Sequence, residues 1–457
     1  MGTLTSSLLM AAQSLLAEQG ALNVTSNNIS NVNTPGYSRE VPVFSEQTPV
    51  HEGNLLFGQG VALQSIDSIR DRLLELRILD EQQQNSNAQT QLGYLNQVQA
   101  LFSNTSQGIG SDITAFFNSL NQLSTNPTSV PLRQAVLTAA NNLANDFHNT
   151  VDQLSSIQSN LNQSVVESVN GINGLTAQIA QLNTQVGQMK SLGKDAGALE
   201  DQRNQLINQL SQLTDVHVIN TEQGVTLTTG NGTALVVGGQ AFALQTTPNS
   251  SGNQEVIAQG KDITSTLTGG HLGGAILVRD QTIPDVMSQL DNLAGGLASN
   301  FNAAHHQGFD LNGNTGGDFF APSAPGAGAA KNFAVLITDP AAIAASSDGS
   351  PGSNGNIANL LAVQNQNLPS GKTPADAYAG LISDVGNTTA QMQAESAAST
   401  LSLQQLQDQR QAISGVSVDE EATNLIRYQH AFDAAARVIT TVDIMTQTVI
   451  AMGSPTG

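Results

Sequence analysis

The sequence predicts a mainly α protein with a small antiparallel β domain inserted in the middle of the chain. Three observations carry that expectation. Apolar residues recur at spacings of three and four over most of the length, the mark of one helical face. Between Val216 and His271 the pattern shortens to β-prone runs separated by Gly and Asn turns such as Gly230-Asn231-Gly232. Tryptophan is absent and aromatics make up 4% of the chain, so cores of Leu, Ile, Val and Ala are expected, which suits helix–helix packing.

The elements follow in order. Leu4, Leu8, Ala11, Leu15 and Leu22 mark one face of a first helix over residues 3–20. So short a helix is marginal alone in water and needs a partner. The Asn/Ser-rich run that follows is expected to stop it, because these side chains compete for backbone hydrogen bonds. Thr34-Pro35-Gly36-Tyr37 then fits a type II turn, with Pro at the position wanting φ near −65° and Gly where φ is positive. Val41, Val43 and Phe44, and later Val61, Leu63 and Ile66, suggest short extended segments around a loop. A long helix with near-heptad spacing and a polar interruption starts near Ile69 and carries Leu74, Ile78, Glu81, Asn85, Ala88, Leu92, Leu95 and Phe102. Further helices are expected at Ile113–Leu123, Pro131–Leu161, Val165–Met189 and Leu199–Leu213. Strand-like runs lie at His217–Ile219, Val225–Thr229, Ala234–Val237, Phe242–Leu244, Glu255–Ala258 and Ile263–Leu267. Helix returns at Ala275–His306. Residues 308–356, rich in Gly, Pro, Ala and Ser, read as loops with a strand-like run at Phe333–Thr338. A long helix over Pro374–Ile413 stops at Gly415. The last helix starts near Val418, with Asp419, Glu420 and Glu421 in its first turn, where the dipole favours anions. Its seam is Leu425, Tyr428, Phe432, Ala435, Ile439, Val442 and Val449, and Val438, Met445 and Met452 widen the stripe on one flank. A stripe wider than a two-helix seam has more than one partner to satisfy.

Composition removes several functions. With 15 Lys+Arg against 36 Asp+Glu the net charge is −21, which repels phosphate backbones and argues against nucleic acid. Without cysteine there are no disulfides, thiol catalysis or Cys-based zinc sites. No apolar run is long enough to span a membrane, and the first 20 residues lack the basic start of a signal peptide. Neither an HExxH, a GxxxxGK[ST] nor a GxSxG pattern occurs. His305 and His306 are adjacent, hence splayed on a helix, and read as a solvent-exposed helix end. Asp310-Leu311-Asn312-Gly313-Asn314 begins like a calcium loop, but Thr315 and Ala321 stand where Gly and Glu are required, so a Gly-rich turn is expected. No catalytic residue, metal ligand or cofactor is assigned.

The segment Asn23–Tyr37, NVTSNNISNVNTPGY, fits an ordinary Asn-rich surface loop by composition. Its wording says more. SNNISNVNTPGYSR at Ser26–Arg39 resembles the N-terminal signature of the bacterial flagellar axial proteins: rod, hook and hook-associated proteins. SGVSVDEEATNLIRYQHAFDAAARVITTVDIMTQTVI at Ser414–Ile450 resembles the matching C-terminal signature, and its DEEATNLIRYQHAF wording is closest to hook-associated members. LNTQVGQM and LEDQRNQLINQLSQL resemble the helical part of the same proteins.

That resemblance implies a nested architecture. Residues 1–40 with 414–457 would form a terminal helical core, 41–213 with 275–413 a long-helix bundle with Gly-rich loops, and 214–274 the inserted β domain. It implies a non-enzymatic structural component at the hook–filament junction, outside the cell and exported without a cleaved signal peptide. The implied assembly interface comprises Leu4, Leu8, Leu15, Asn27, Asn28, Asn31, Thr34, Pro35, Gly36 and Tyr37. From the last helix it adds Leu425, Tyr428, Phe432, Ala435, Ile439, Val442 and Val449. The implied partners are further copies in a ring, the hook protein, a second hook-associated protein, and an export chaperone at the C-terminal helix. No nucleic acid and no membrane are expected. The terminal helices, lacking cover at home, would be largely disordered in the monomer. A rod or hook protein is the alternative; an enzyme or ligand-binding module in the β domain is a third reading.

Overall fold

A computed structural model describes residues 2–52, 55–103, 108–221, 224–322 and 328–453. In chain order the elements are α1 (Gly2–Ser30), β1 (Glu40–Glu46), β2 (Val50–Glu52), β3 (Leu55–Phe57), β4 (Val61–Ser68), α2 (Arg72–Phe102) and α3 (Ile109–Thr125). Then come α4 (Val130–Ser191), α5 (Gly197–Leu213), β5 (His217–Thr221), β6 (Gly224–Thr228), β7 (Ala234–Val237), β8 (Gln240–Ala241), β9 (Leu244–Pro248), β10 (Gln254–Ala258) and β11 (Lys261–Asp262). The remainder is α6 (Gly270–Leu277), a π turn at Val278–Thr282, α7 (Ile283–His305), α8 (Gly355–Ala362), α9 (Pro374–Ser414) and α10 (Val418–Gly453). The mainly α class with short antiparallel sheets in mid-chain is the one the sequence predicts.

The chain packs as two compact units, and their boundaries differ from the nested division. One unit comprises Met1–Gln83, Gly171–Ala243 and Thr400–Gly457; the other comprises Gln84–Asn170 and Leu244–Ser399. The expected single β domain is therefore two sheets. A four-stranded antiparallel sheet, β5-β6-β7-β8, belongs to the first unit, and a three-stranded one, β11-β10-β9, to the second. The division falls in the run expected at Phe242–Leu244, between the end of β8 and the start of β9. The run at Ile263–Leu267 is a helical turn instead of a strand. There Thr264 Oγ1 binds Asp262 and accepts from Val256 N at 2.8 Å, which ends the ladder.

In the first unit β1 and β4 pair antiparallel, and β2 pairs with β3. Leu74 and Ile78 of α2 meet Leu403 and Leu406 of α9 in a small apolar cluster. Asn183 of α4 pins the four-stranded sheet. Its amide donates to the carbonyls of Val225 and Gly238 at 2.7 and 2.8 Å and accepts from Val225 N and Arg203.

In the second unit the core is not purely aliphatic. Phe116, Phe301, Phe319 and Phe320 interlock with centroids 4.8–5.9 Å apart, and Phe333 stacks on Phe320 at 4.5 Å. Phe319, Phe320 and Phe333 come from the Gly-rich segment read as loop, so few aromatics are concentrated where irregular backbone must be anchored. Each such pair is worth about 0.5–1.5 kcal/mol beyond its burial. The strand-like run at Phe333–Thr338 contributes one bridge, Phe320 to Val335. α4 is continuous through the polar stretch at 162–164, where two helices were expected. Asn162 spends its side chain on Asn253, Gln254 N and Arg279, not on its own backbone, so nothing competes with the helix. Gly274 sets a close approach of α6 to α2, since a Cβ there would lie 2.7 Å from the Asn87 carbonyl oxygen. The polar interruption of α2 is a buried pair, Asn85 Nδ2 donating to Ser399 Oγ at 3.0 Å.

His305 corrects the expected exposed pair. It is buried, its Nδ1 bonds the Gly317 carbonyl at 2.7 Å, and its Nε2 accepts from Ala344 N at 2.9 Å. That fixes a neutral tautomer, and burial lowers its pKa. His306 is half-exposed beside Asp318. Asp310 accepts from the backbone of Asn312 and Asn314 and closes a turn. Among the described residues no group of His, Asp and Glu gathers as a cation site, and no helix is long and apolar enough to cross a membrane.

Asp112 gives the second unit a pH dependence. Burial first, and the Asp146 carboxylate second, push its carboxyl up to about 6. An unfolded Asp titrates near 4. The folded state therefore binds the extra proton, and this contribution is present below about pH 4 and lost as pH rises through about 6. Asp112→Asn is expected to raise the thermal midpoint at pH 7 and to leave it unchanged at pH 4, as read by circular dichroism melts at both values.

Candidate assembly interface

The first helix does not stop at the Asn/Ser run. α1 continues to Ser30, because the side chains there bond along the helix or outward. Ser30 Oγ donates to the Ser26 carbonyl at 2.8 Å, and Asn31 Nδ2 to the Asn27 carbonyl at 3.0 Å. The turn beyond is as expected: Tyr37 N donates to the Thr34 carbonyl at 3.2 Å and Gly36 has φ of +84°.

Asn28 is the hub. It is 1% exposed, and its amide uses its full hydrogen-bonding capacity. Nδ2 donates to the Glu40 carbonyl at 2.8 Å and to Glu421 Oε2 at 3.1 Å. Oδ1 accepts from Glu40 N at 3.0 Å and from the Tyr37 hydroxyl at 2.8 Å. Arg39 completes the link, with Nε on Glu421 at 2.8 Å, Nη1 on Glu420 at 2.7 Å and its backbone N on the Ser414 carbonyl. Two members of the acidic cluster expected to serve the helix dipole thus also fasten the two chain ends together. Arg410 Nη2 binds the Gly36 carbonyl at 2.9 Å, and Ser38 N binds Asp201 at 3.0 Å. Burial raises the pKa of the Glu40 carboxyl, with Asn27 opposing, and burial raises the Tyr37 phenol as well.

Above this hub α1 packs along α10. Glu421, Tyr428, Ala435 and Val442 of α10 are buried at heptad intervals, with Leu425, Phe432 and Ile439 half-buried between them. The expected seam is therefore present up to Val442. Val449, next in the buried series, is exposed, and Thr446 extends the half-buried one. On α1 the buried stripe is Ala11, Ala17, Ala21, Val24 and Asn28, not the leucine face. Small side chains let the two helices approach. Leu4 and Leu15 are half-buried and Leu8 is exposed. The ends are thus paired helices in the single chain, where disorder was expected, because each covers one face of the other.

The other face stays open. Leu9 and Leu16 of α1 are 54% and 65% exposed. On α10 the flank Val438, Met445 and Met452 is 46%, 51% and 76% exposed. Of the loop residues, Asn27, Thr34 and Pro35 are exposed, Asn31, Gly36 and Tyr37 half-buried, and Asn28 internal. The expected interface therefore divides into an inner set, which joins the chain to itself, and an outer set that has no cover among the described residues.

The family model described as the flagellar hook-associated protein FlgK helical domain matches residues 95–320. Models of the flagella basal body rod protein and of the flagellar basal body rod FlgEFG protein C-terminal match residues 8–37 and 407–452. Flagellar hook-associated protein 1 of Bacillus subtilis is 30% identical over 491 residues, covering 96% of this chain and 96% of its own length. The chain belongs to the flagellar hook-associated protein 1 family. The Salmonella typhimurium member is 29% identical over 544 residues, covering 96% of this chain and 98% of its own. A solved structure described as the flagellar hook junction protein FlgK from Burkholderia pseudomallei superposes with a TM-score of 0.69 at 20% identity. It covers 74% of this chain and all of that one, and so supports the fold.

Replacing Asn28 by Ala leaves the Tyr37 hydroxyl and both backbone groups of Glu40 short of partners. The expected loss is about 2–3 kcal/mol of unfolding free energy, measured by urea denaturation.

Proposed function

We propose that this chain is a structural, non-enzymatic subunit of the bacterial flagellum that joins hook to filament at their junction. Family membership supports the place. The observation that carries the mechanism is the open apolar flank on the terminal helix pair, Leu9 and Leu16 with Val438, Met445 and Met452. Large apolar side chains left bare at heptad spacing on both helices suit an interaction surface. Copies stacking in a tube bury it through heterologous contacts, in which one face of a subunit meets a different face of the next. The exposed residues of the 27–37 loop join that contact at one end of the pair.

The partners follow from the same place in the organelle: further copies in a ring, the hook protein on one side and a second hook-associated protein on the other. An export chaperone would cover the bare flank of α10 before assembly, and export would proceed through the flagellum's own apparatus without a cleaved signal. Rod-type models match both ends of the chain, which favours an axial packing mode shared with rod and hook proteins. The match of residues 95–320 to a hook-associated helical domain weighs against the chain being a rod or hook protein itself.

Deleting the gene is expected to leave hooks that carry no filaments; loss of the hooks themselves, seen by electron microscopy, would point to the rod or hook reading. The triple variant V438S/M445S/M452S changes only exposed positions. Its stability is expected within about 0.5 kcal/mol of the parent. A strain carrying it should lack filaments, and normal swimming would count against the stripe as the assembly surface.

A further inference from the structure

Six of the chain's 15 basic residues border two adjoining grooves within the first unit. The larger, about 650 Å³, lies among α2, α4, α5 and the sheet's edge strand β5. Arg70, Arg72, Lys190, Arg203 and Arg410 line it. The second, about 610 Å³, shares the first three and adds Lys194. Glu75 and Glu200 also line the larger groove, and Asp67, Asp195 and Glu200 the second, so in a chain of net charge −21 the local reversal of sign belongs to the larger groove.

Two of the six are already matched. Arg70 pairs with Glu200 and Asp201 at 2.7 Å each, and Lys190 with Glu200 at 2.5 Å. Among the described residues no carboxylate lies within ion-pair distance of Arg72, Lys194, Arg203 or Arg410. Arg410 donates hydrogen bonds to a carbonyl and a hydroxyl and, among the described residues, to no carboxylate. Arg203 is buried, donates from Nη1 to Asn183 at 3.1 Å, and keeps Nε without a partner among the described residues. Burial lowers its pKa, so its charge is held at a cost that a nearby anion would relieve. Glu75 is the groove's remaining acid, and burial raises its pKa against the pull of Arg70 and Arg410.

The rest of the lining is not that of a small-anion site. Leu76, Ile78, Leu79 and Val218 give an apolar floor, while Asn204, Asn208 and Asn220 offer amides. β5 is an edge strand, with backbone groups unpaired on its outer side. Such a surface suits an extended polypeptide carrying carboxylates between apolar side chains.

We propose that this groove receives a carboxylate-bearing segment of a second copy of the chain, laid beside β5. The inference rests on the assembly reading above. Charge complementarity selects the occupant: copies this acidic repel one another across most of their surface, and this groove offers the opposite sign. Cations of one copy meeting carboxylates on a different face of the next is the heterologous contact that a ring requires.

The test places a photo-crosslinking amino acid at exposed Asn220 of the full chain, in cells that assemble flagella. The expected result is a cross-linked product of two copies in purified flagella. The charge reversal R72E should cut its yield by roughly tenfold, with R72Q in between and the circular dichroism spectrum unchanged. No cross-link, a cross-link insensitive to these charges, or one to a different protein would overturn the proposal. Absence of the unsubstituted chain from purified flagella would instead count against the junction reading; its presence without the charge-dependent product counts against the groove alone.

Discussion

The terminal unit depends on one buried amide. Asn28 joins residues that lie 393 positions apart in sequence, through its bond to Glu421, and in the same stroke fixes Tyr37 and the backbone of Glu40. Closing so long a loop costs entropy that grows only slowly with length, so a modest set of bonds suffices once the intervening units are folded. Those bonds are short-range and directional. They hold only while α1 runs on to Ser30 and the turn at Thr34–Tyr37 swings β1 back beneath it. The Asn-rich signature is therefore first a device for closing the chain on itself, and only its outer residues remain exposed.

The helix pair above the hub repeats this economy. Alanines face inward on α1 while Leu8, Leu9 and Leu16 face outward, the reverse of what a self-sufficient hairpin would do. Burying a Leu contributes about 1.5–3 kcal/mol relative to leaving it in water, so leaving Leu9 and Leu16 bare forgoes several kcal/mol, which the proposed assembly would restore. The pair is held by polar bonds and packing of small side chains, and on the proposed assembly the larger hydrophobic gain would come from association. The same division runs along α10, where Tyr428, Ala435 and Val442 turn inward and Val438, Met445 and Met452 stay exposed.

The class of the fold was legible in the sequence because long helices carry strong periodicity, and the seam of α10 was legible to within one position. The inner face of α1 was not, since alanine contributes little to a pattern read from large apolar residues. The continuity of α4 was hidden because a polar run such as Asn162-Gln163-Ser164 looks like a break unless the partners of Asn162, distant in sequence, are known. The two-sheet division was hidden for a similar reason: β8 and β9 are separated by two residues, and only packing assigns them to different sheets. His305 read as exposed because adjacency on a helix says nothing about which neighbours cover one of the pair. The phenylalanine core escaped because a low aromatic fraction was averaged over the chain instead of being located.

A buried carboxylate at the head of a helical seam needs a reason, since replacing such ionic groups with apolar ones is often neutral or stabilising. Register supplies one. The buried positions of α10 are Glu421, Tyr428, Ala435 and Val442, each seven apart and each different in size or polarity. Sliding α1 by one heptad would place the Asn28 amide against the Tyr428 ring and leave Glu421 without Asn28. A seam of four aliphatic residues would tolerate that shift at little cost; this one would lose a charge-assisted bond and strand a polar group. The penalty confines the pair to one alignment, and that alignment sets which side chains of the outer flank stand side by side. In the proposed assembly, a polymer built from this flank would inherit its geometry from a contact that its partners never touch.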